Sequence, residues 1–375
     1  MVALWLSFSS EAKKFAIKSL TAKHLISNEQ KKVKKSKVTS FDALTVVGAN
    51  LNYLNIDRVS FVFRSLNVVT GVSGAGKSSL VLNTLYPNLK MQLGLKNKRS
   101  RNNWSHCERI EGFNDLTSIA VIDRRPIAKS SVSMPVTYLD VFTDIRRLYE
   151  KLPDSQLSGL SAKSFSLFSE GGRCEECKGK GEVILSMKFL SDARVRCPIC
   201  FGGRYKEEVN LVKYNGLSIS SVLDLTVDQA LDHFRHHKRI SKRLESVVAL
   251  GLGYLKLGQT SASLSGGEAQ RLKLAPFLSK NWEPGSVLVI DEPTQGLHFE
   301  DVERLVMVFK KMVDSGLTII IIEHNPEVIC AADWVIDLGP LSCAGGGKLV
   351  YQGPVEGLMK VKNSPTGKFL ASRLA

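Results

Sequence analysis

The chain has no long hydrophobic run. Its longest strongly apolar stretch is Leu317 to Ile322, far short of the ~20 residues that span a bilayer, so no membrane-spanning helix is expected. The N-terminus, MVALWLSFSSEAKKF, has no basic region ahead of its apolar residues. No secretory signal is therefore expected, and the expected compartment is the cytoplasm. Acidic residues are the scarcer charge: 36 Asp and Glu stand against 51 Lys and Arg, a formal net charge of +15. A chain this basic suits a polyanionic partner, most often nucleic acid. A solvated basic protein without such a partner is the bland alternative. Cysteines number seven and do not form a disulfide framework. Four fall in two Cys-x-x-Cys pairs, a spacing that without a signal peptide points to metal. Cys107, Cys330 and Cys343 have no such spacing and read as ordinary thiols. What remains is 43% hydrophobic and 23% charged. That composition excludes wholesale disorder. The length of 375 residues fits an α/β core of roughly 200 residues with a sizeable insertion.

The texture changes along the chain. Residues 1–43 form a basic segment or linker, with the lysine run Lys31, Lys32, Lys34, Lys35 and Lys37. LTVVGANL, VSFVF and LNVVT read as strands, the last leading through glycines into a helix that begins near Lys77. Residues 90–110 read as a basic, polar loop, and TSIAVI as another strand. Residues 44–130 are thus the first part of the core. Residues 131–257 read as an insertion, with a helix around Val141 to Leu152, a cysteine module at 171–206 and two helices at 218–250. Residues 258–360 complete the core, and 361–375 form a tail. SVLVI (286–290) and LTIIII (317–322) are continuous apolar runs, as buried parallel strands require, and a helix at 300–314 joins them. No internal repeat is present.

Gly71-Val-Ser73-Gly74-Ala-Gly76-Lys77-Ser78 matches G-x-x-x-x-G-K-[ST] between a strand and a helix. Glycines let backbone N–H groups curl around phosphate oxygens, and the helix N-terminus adds positive potential. Lys77 is expected to reach the β- and γ-phosphates of ATP, and Ser78 to place its hydroxyl on Mg²⁺. Asp291 and Glu292 follow SVLVI directly. Two acids ending a buried strand are costly unless they work at the strand's C-terminal edge, where open α/β sheets bind ligands. Asp291 is expected to hold the Mg²⁺ shell through water, and Glu292 to act on the attacking water. His324 ends the next apolar strand and is expected at the same edge, on the γ-phosphate.

Leu264-Ser265-Gly266-Gly267-Glu268 opens a helix. Ser265 and Glu268 satisfy a capping box, so a structural reading stays open. Capping does not require two glycines in the first turn, which leave backbone N–H groups free for a phosphate. Cys174, Cys177, Cys197 and Cys200 form C-x2-C-x19-C-x2-C, a spacing suited to a four-thiolate Zn²⁺ site. VILSMKFL between the pairs can form a hairpin strand. Arg173, Lys178, Lys180, Lys188, Arg194, Arg196, Arg204 and Lys206 make the module basic, which suits phosphate contacts with double-stranded DNA. A zinc staple with a solvated surface is the alternative.

GVSGAGKSSL, NTLYP, RIEGF, CEECKGKG…CPICFGGRY, GLGYLKLGQ, LSGGEAQRLKLA, DEPTQGLH, IIEHNPEVI and DLGP, in that order, resemble the C-terminal half of the UvrA family of ABC ATPases, over about residues 44–357. SLTAKHLISNEQKK resembles the join between the two halves of that family. The resemblance implies an ABC-type P-loop ATPase core with an inserted helical and signature region and a four-cysteine zinc module. It implies ATP bound by residues 71–79, Ser79 included, and a signature at residues 265–268. In ABC ATPases the signature of one domain closes over ATP held by another, which implies a homodimer or a separate UvrA-like half. The implied role is ATP hydrolysis coupled to recognition of damaged DNA in nucleotide excision repair, with no nuclease activity and no membrane partner. The family's UvrB-docking module lies in the half without a counterpart here, which weighs against UvrB as a partner. One P-loop and one signature are present where the family has two. The family usually reads IDQSPIGRTPRSNPATY where this chain reads IDRRPIAKSSVSMPVTY (122–138). Arg124 thus replaces a glutamine that senses Mg²⁺ and the attacking water, and Val132 an arginine. LSCAGGG (341–347) departs from the family's acidic, glycine-rich sequence. These departures leave a second reading, a nucleotide-gated DNA-binding module without turnover of its own.

Overall fold

A computed structural model describes residues 42–94, 104–125, 133–185 and 193–374. The basic N-terminal segment, Val132, Lys188 and the part of the cysteine module at 186–192 lie outside the described residues. The strands, in chain order, are β1 (Ala43–Ala49), β2 (Ile56–Val62), β3 (Leu66–Gly71), β4 (Arg109–Glu111), β5 (Ser118–Ile122), β6 (Glu182–Leu185), β7 (Ala193–Arg196), β8 (Lys213–Tyr214), β9 (Leu217–Ser218), β10 (Ser286–Asp291), β11 (Thr318–Ile322), β12 (Trp334–Gly339) and β13 (Lys348–Gly353). The five helices that matter most here are α1 (Tyr86–Gly94), α2 (Val141–Glu150), α3 (Lys238–Ala249), α4 (Gly266–Ser279) and α5 (Phe299–Asp314).

The central sheet runs β13-β12-β3-β11-β10-β5. All neighbours pair parallel except β12 with β13, which are antiparallel. The parallel strands are short, rich in β-branched residues and covered on both faces, which is why they read as continuous apolar runs rather than alternating ones. Val287, Val289, Ile320 and Ile322 pack on one face, with the antiparallel sheet β2-β1-β4 and Leu85 and Leu89 of the helical segment after the phosphate loop. Leu288, Ile290, Ile319 and Ile321 pack on the other, in one continuous core with Ile145 of α2, Leu244 of α3, Leu272 of α4 and Phe309 of α5. The insertion therefore shares its core with the sheet. Truncating a fully buried residue such as Ile321 to alanine costs about 2–5 kcal/mol.

Several local readings change. Helix α1 extends to Gly94, into the stretch read as a loop, and β4 lies at that stretch's far end. The segment at 218–250 holds three helices rather than two: Ile219–Asp224, Val227–His233 and α3. Ser218 and Thr226 supply N-caps that divide it, each accepting a backbone N–H with its hydroxyl. The segment read as a tail carries helix Pro365–Leu374, tied to β12 by hydrogen bonds from Ser364 and Thr366 to Asp337. No helix among the described residues is long and apolar enough to cross a membrane.

Candidate nucleotide site and metal centre

The parallel strands deliver their C-terminal ends to one edge of the sheet. Side by side there stand Arg124 after β5, Asp291 and Glu292 ending β10, Glu323 and His324 after β11, the phosphate loop after β3, and Leu338 near the end of β12. Gly71 adopts φ +129, and a Cβ there would collide with the Leu338 carbonyl oxygen, so this bend tolerates no side chain. Gly76 adopts φ +96, and a Cβ there would lie 2.7 Å from Leu54 Cδ2. Ser73 and Gly74 are exposed at the crest, whereas Lys77, Ser78 and Ser79 begin the helical segment below. Lys77 Nζ donates to the carbonyls of Gly71 and Val72, both at 2.8 Å, and so folds back across its own loop. Burial pushes the Lys77 ammonium below its usual pKa. Glu292 opposes this, Arg124 adds to it, and Asp337 and Asp291 oppose it.

Asp291 is buried, and Glu292 sits in the left-handed region at φ +45. Strain of that kind in a bulky residue collects at functional sites. The Glu292 N–H donates to the Ile322 carbonyl at 3.0 Å, locking the turn to the neighbouring strand. Arg124 occupies the space these acids face. Its Nε lies 2.8 Å from Asp291 Oδ2, and its Nη2 lies 3.0 Å from Asp291 Oδ1 and 2.7 Å from Glu292 Oε1. His324 reaches the same edge with a largely exposed ring, its Nδ1 3.9 Å from Glu292 Oε1.

Sequence reasoning missed Glu323. Its carboxylate is fully buried, and it accepts from the Thr294 N–H at 3.0 Å and the Thr294 hydroxyl. It also accepts from the N–H groups of His324 at 2.7 Å and Asn325 at 2.9 Å. The signal was an acid at the end of a buried strand, the same one that marked Asp291. Gln270 and Lys273 on α4 were missed as well. Gln270 Nε2 donates to the Asp291 carbonyl at 3.3 Å, and Lys273 Nζ to the Asp123 carbonyl at 2.8 Å and to the Arg125 carbonyl. The signature helix is thus fastened to the strand ends that carry Arg124 and Asp291.

The signature segment makes contacts of its own. Ser265 Oγ accepts from the Glu268 N–H at 3.3 Å, and Glu268 Oε2 accepts from the Ser265 N–H at 2.7 Å, so the capping box is present. Glu268 also accepts from Tyr254 Oη at 2.6 Å. Among the described residues, no hydrogen bond or ion pair joins residues 265–268 to residues 71–79. Gly266 is open: a Cβ there would meet nothing within 4 Å.

Cys174, Cys177, Cys197 and Cys200 converge, with their Sγ atoms all within 4.8 Å of one another. Cys174 and Cys197 Sγ are 3.9 Å apart, and Cys177 and Cys200 Sγ 3.6 Å. A tetrahedral ion with metal–sulfur bonds of about 2.3 Å needs sulfurs about 3.8 Å apart, so the four thiols fit such an ion. The Gly181 N–H donates to Cys177 Sγ at 3.2 Å, the kind of outer contact that orients a thiolate. β6 and β7 form the hairpin between the knuckles. Of the module's basic residues, Lys178, Lys180, Arg194 and Arg196 are exposed. Arg194 also pairs with Glu182 at 3.0 Å. Arg173 faces Glu170 and Glu175, and Arg204 turns inward to donate to the Gly258 carbonyl at 2.9 Å.

No protein-family model matches the chain. It is 40% identical over 354 residues to UvrABC system protein A of Staphylococcus aureus, an alignment covering 94% of this chain and 37% of the relative. It is 43% identical over 333 residues to UvrABC system protein A of Micrococcus luteus, covering 88% of this chain and 33% of the relative. The crystal structure of UvrA2 from Deinococcus radiodurans superposes with a TM-score of 0.85 at 37% identity, over 95% of this chain and 43% of that one. The chain therefore spans less than half the length of these relatives. Over the 94% of its length that aligns, the chain is similar to UvrABC system protein A, and it shares the fold of the matching part of the Deinococcus UvrA2 structure.

Proposed function

We propose that the chain binds ATP with Mg²⁺ at the loop after β3, hydrolyses it in a site completed by a second signature segment, and couples that cycle to binding double-stranded DNA in DNA repair. The gathering of Lys77, Asp291, Glu292 and His324 along one sheet edge is the observation that carries the reading. Lys77 leaves its two carbonyls to neutralise the β- and γ-phosphates. Ser78 and Asp291 hold Mg²⁺, which supplies positive charge against the transferred phosphoryl group. Glu292 orients the attacking water and takes its proton, and His324 steadies the γ-phosphate. Ser265, Gly266 and Gly267 supply hydroxyl and N–H donors from a second copy of the chain or from a partner half. The four cysteines hold Zn²⁺ as a staple for a basic hairpin that meets DNA phosphates.

The contact of Arg124 with both acids favours a second reading, a nucleotide-gated DNA-binding module without turnover. Phosphate release with ATP, with and without duplex DNA, separates the two. Release that DNA stimulates and Lys77→Ala abolishes supports the ATPase. ATP binding without release supports the module. No ATP binding by calorimetry rejects both.

A further inference from the structure

Arg124 stands where the ATPase reading needs a metal ion and a water molecule. Its guanidinium makes a two-point contact with Asp291 and a third contact with Glu292 through Nη2. Both carboxylates are largely buried, with side-chain exposures of 7% and 14%, so they cannot stay uncompensated in the folded chain. The arginine itself is 43% exposed, which gives its side chain room to swing outward. A guanidinium in this fork uses the carboxylate lone pairs that a hydrated Mg²⁺ and an attacking water would need. The backbone on either side of Arg124 is held in place, because Lys273 of α4 donates to the carbonyls of Asp123 and Arg125. Only the side chain need move.

We propose that Arg124 is a resident counter-cation: in the nucleotide-free chain it fills the place between Asp291 and Glu292, and Mg²⁺ with ATP must expel it. This rests on the ATPase reading for its purpose but not for its test. A built-in cation keeps the acids compensated and keeps the site silent until a ligand of sufficient charge arrives.

The test compares wild type with Arg124→Gln and Arg124→Lys, each purified without chelator and exchanged into buffer either free of Mg²⁺ or containing MgCl₂, with zinc content checked to be equal. Thermal unfolding without nucleotide is read first. Wild type should melt at the same temperature in both buffers. Arg124→Gln should melt lower than wild type without Mg²⁺ and recover in MgCl₂, because Mg²⁺ takes the vacated place. Arg124→Lys, which keeps a charge but loses the fork, should fall between them and covers the case in which the glutamine variant does not fold without Mg²⁺. Calorimetry with Mg-ATP should then show binding about tenfold tighter in Arg124→Gln, since no charge-assisted contact has to be broken. A variant pair whose melting ignores Mg²⁺ overturns the proposal, whatever ATP does. Weaker or equal Mg-ATP binding in Arg124→Gln, with wild type binding normally, also overturns it. If no protein binds ATP, the nucleotide reading fails, and the Mg²⁺-dependent melting alone decides whether Arg124 holds a cation's place.

Discussion

Cys343 donates its backbone N–H to the Gly74 carbonyl at 3.2 Å. The Gly347 N–H donates to the Ala75 carbonyl at 3.2 Å, so the segment 341–347 rests on the phosphate loop. Cys343 is exposed there at φ +52. Nucleotide on the loop should therefore shield this thiol. Alkylation by iodoacetamide, followed by peptide mass spectrometry, should slow at Cys343 when Mg-ATP is present, and should not slow in Lys77→Ala. Cys107 should stay unlabelled in the native chain, because burial pushes its thiol up to about 11. Equal Cys343 labelling with and without saturating Mg-ATP would separate this segment from the nucleotide site.

Glu323 is the acid that fixes the turn after β10 to the turn after β11. Glu323→Ala would leave the N–H groups of Thr294, His324 and Asn325 without their acceptor. At about 1–3 kcal/mol for each unsatisfied donor, the loss should reach roughly 3 kcal/mol or more. Glu323→Gln keeps one acceptor oxygen and should lose less. Urea denaturation midpoints measure both. An alanine variant within about 0.5 kcal/mol of wild type would show that the turn is held by something else.

Much of this was legible in the sequence, for physical reasons. β3, β10 and β11 were readable because strands buried on both faces must be apolar throughout. The phosphate loop was readable because the bend at Gly71 leaves no room for a side chain and Gly76 takes a backbone conformation that favours glycine. The cysteine pairs were readable because thiolate ligation fixes their spacing. Glu323 was not read because a single letter does not say whether an acid faces solvent or donors. Arg204 was counted as surface charge because nothing local shows that Gly258, distant in sequence, takes its proton donors. The sequence marked Arg124 as unusual, but only the sheet order β11-β10-β5 puts it beside Asp291 and Glu292.

The cysteine centre forms its own small cluster, apart from the two large cores. Protein purified without chelator should contain one Zn²⁺ per chain by elemental analysis, and Cys174→Ser should lower that figure. Removing the ion should leave ATP affinity in place, since none of the four thiols touches the nucleotide edge. Wild type free of zinc would mean that these thiols serve another end.

The exposed Lys178, Lys180, Arg194 and Arg196 should carry the module's contact with DNA phosphates. Each contact removed should lower the slope of log affinity against log salt by about 0.9. Fluorescence anisotropy with labelled duplex across a KCl series should show this for alanine at these four positions. Arg173→Ala should leave the slope alone, because that side chain is only 15% exposed and donates to the Phe168 carbonyl at 3.1 Å. A slope unchanged by all four substitutions would place the DNA contact outside the hairpin.

The central claim is that a working site takes its phosphate loop from one chain and its signature from another. Mixing Lys77→Ala with Gly266→Asp tests it most directly. The position of Gly266 is open, and an acid at the first turn of a helix suits the helix dipole, so Gly266→Asp should fold while repelling phosphate. Gly267 is a poorer choice, since a Cβ there would lie 3.0 Å from Leu297 Cδ2. Each variant alone should be inactive. In a mixed dimer one site pairs an intact Lys77 with an intact Gly266, so phosphate release with ATP and duplex DNA should return on mixing. Wild-type activity with no recovery on mixing would contradict a site shared between two copies of this chain.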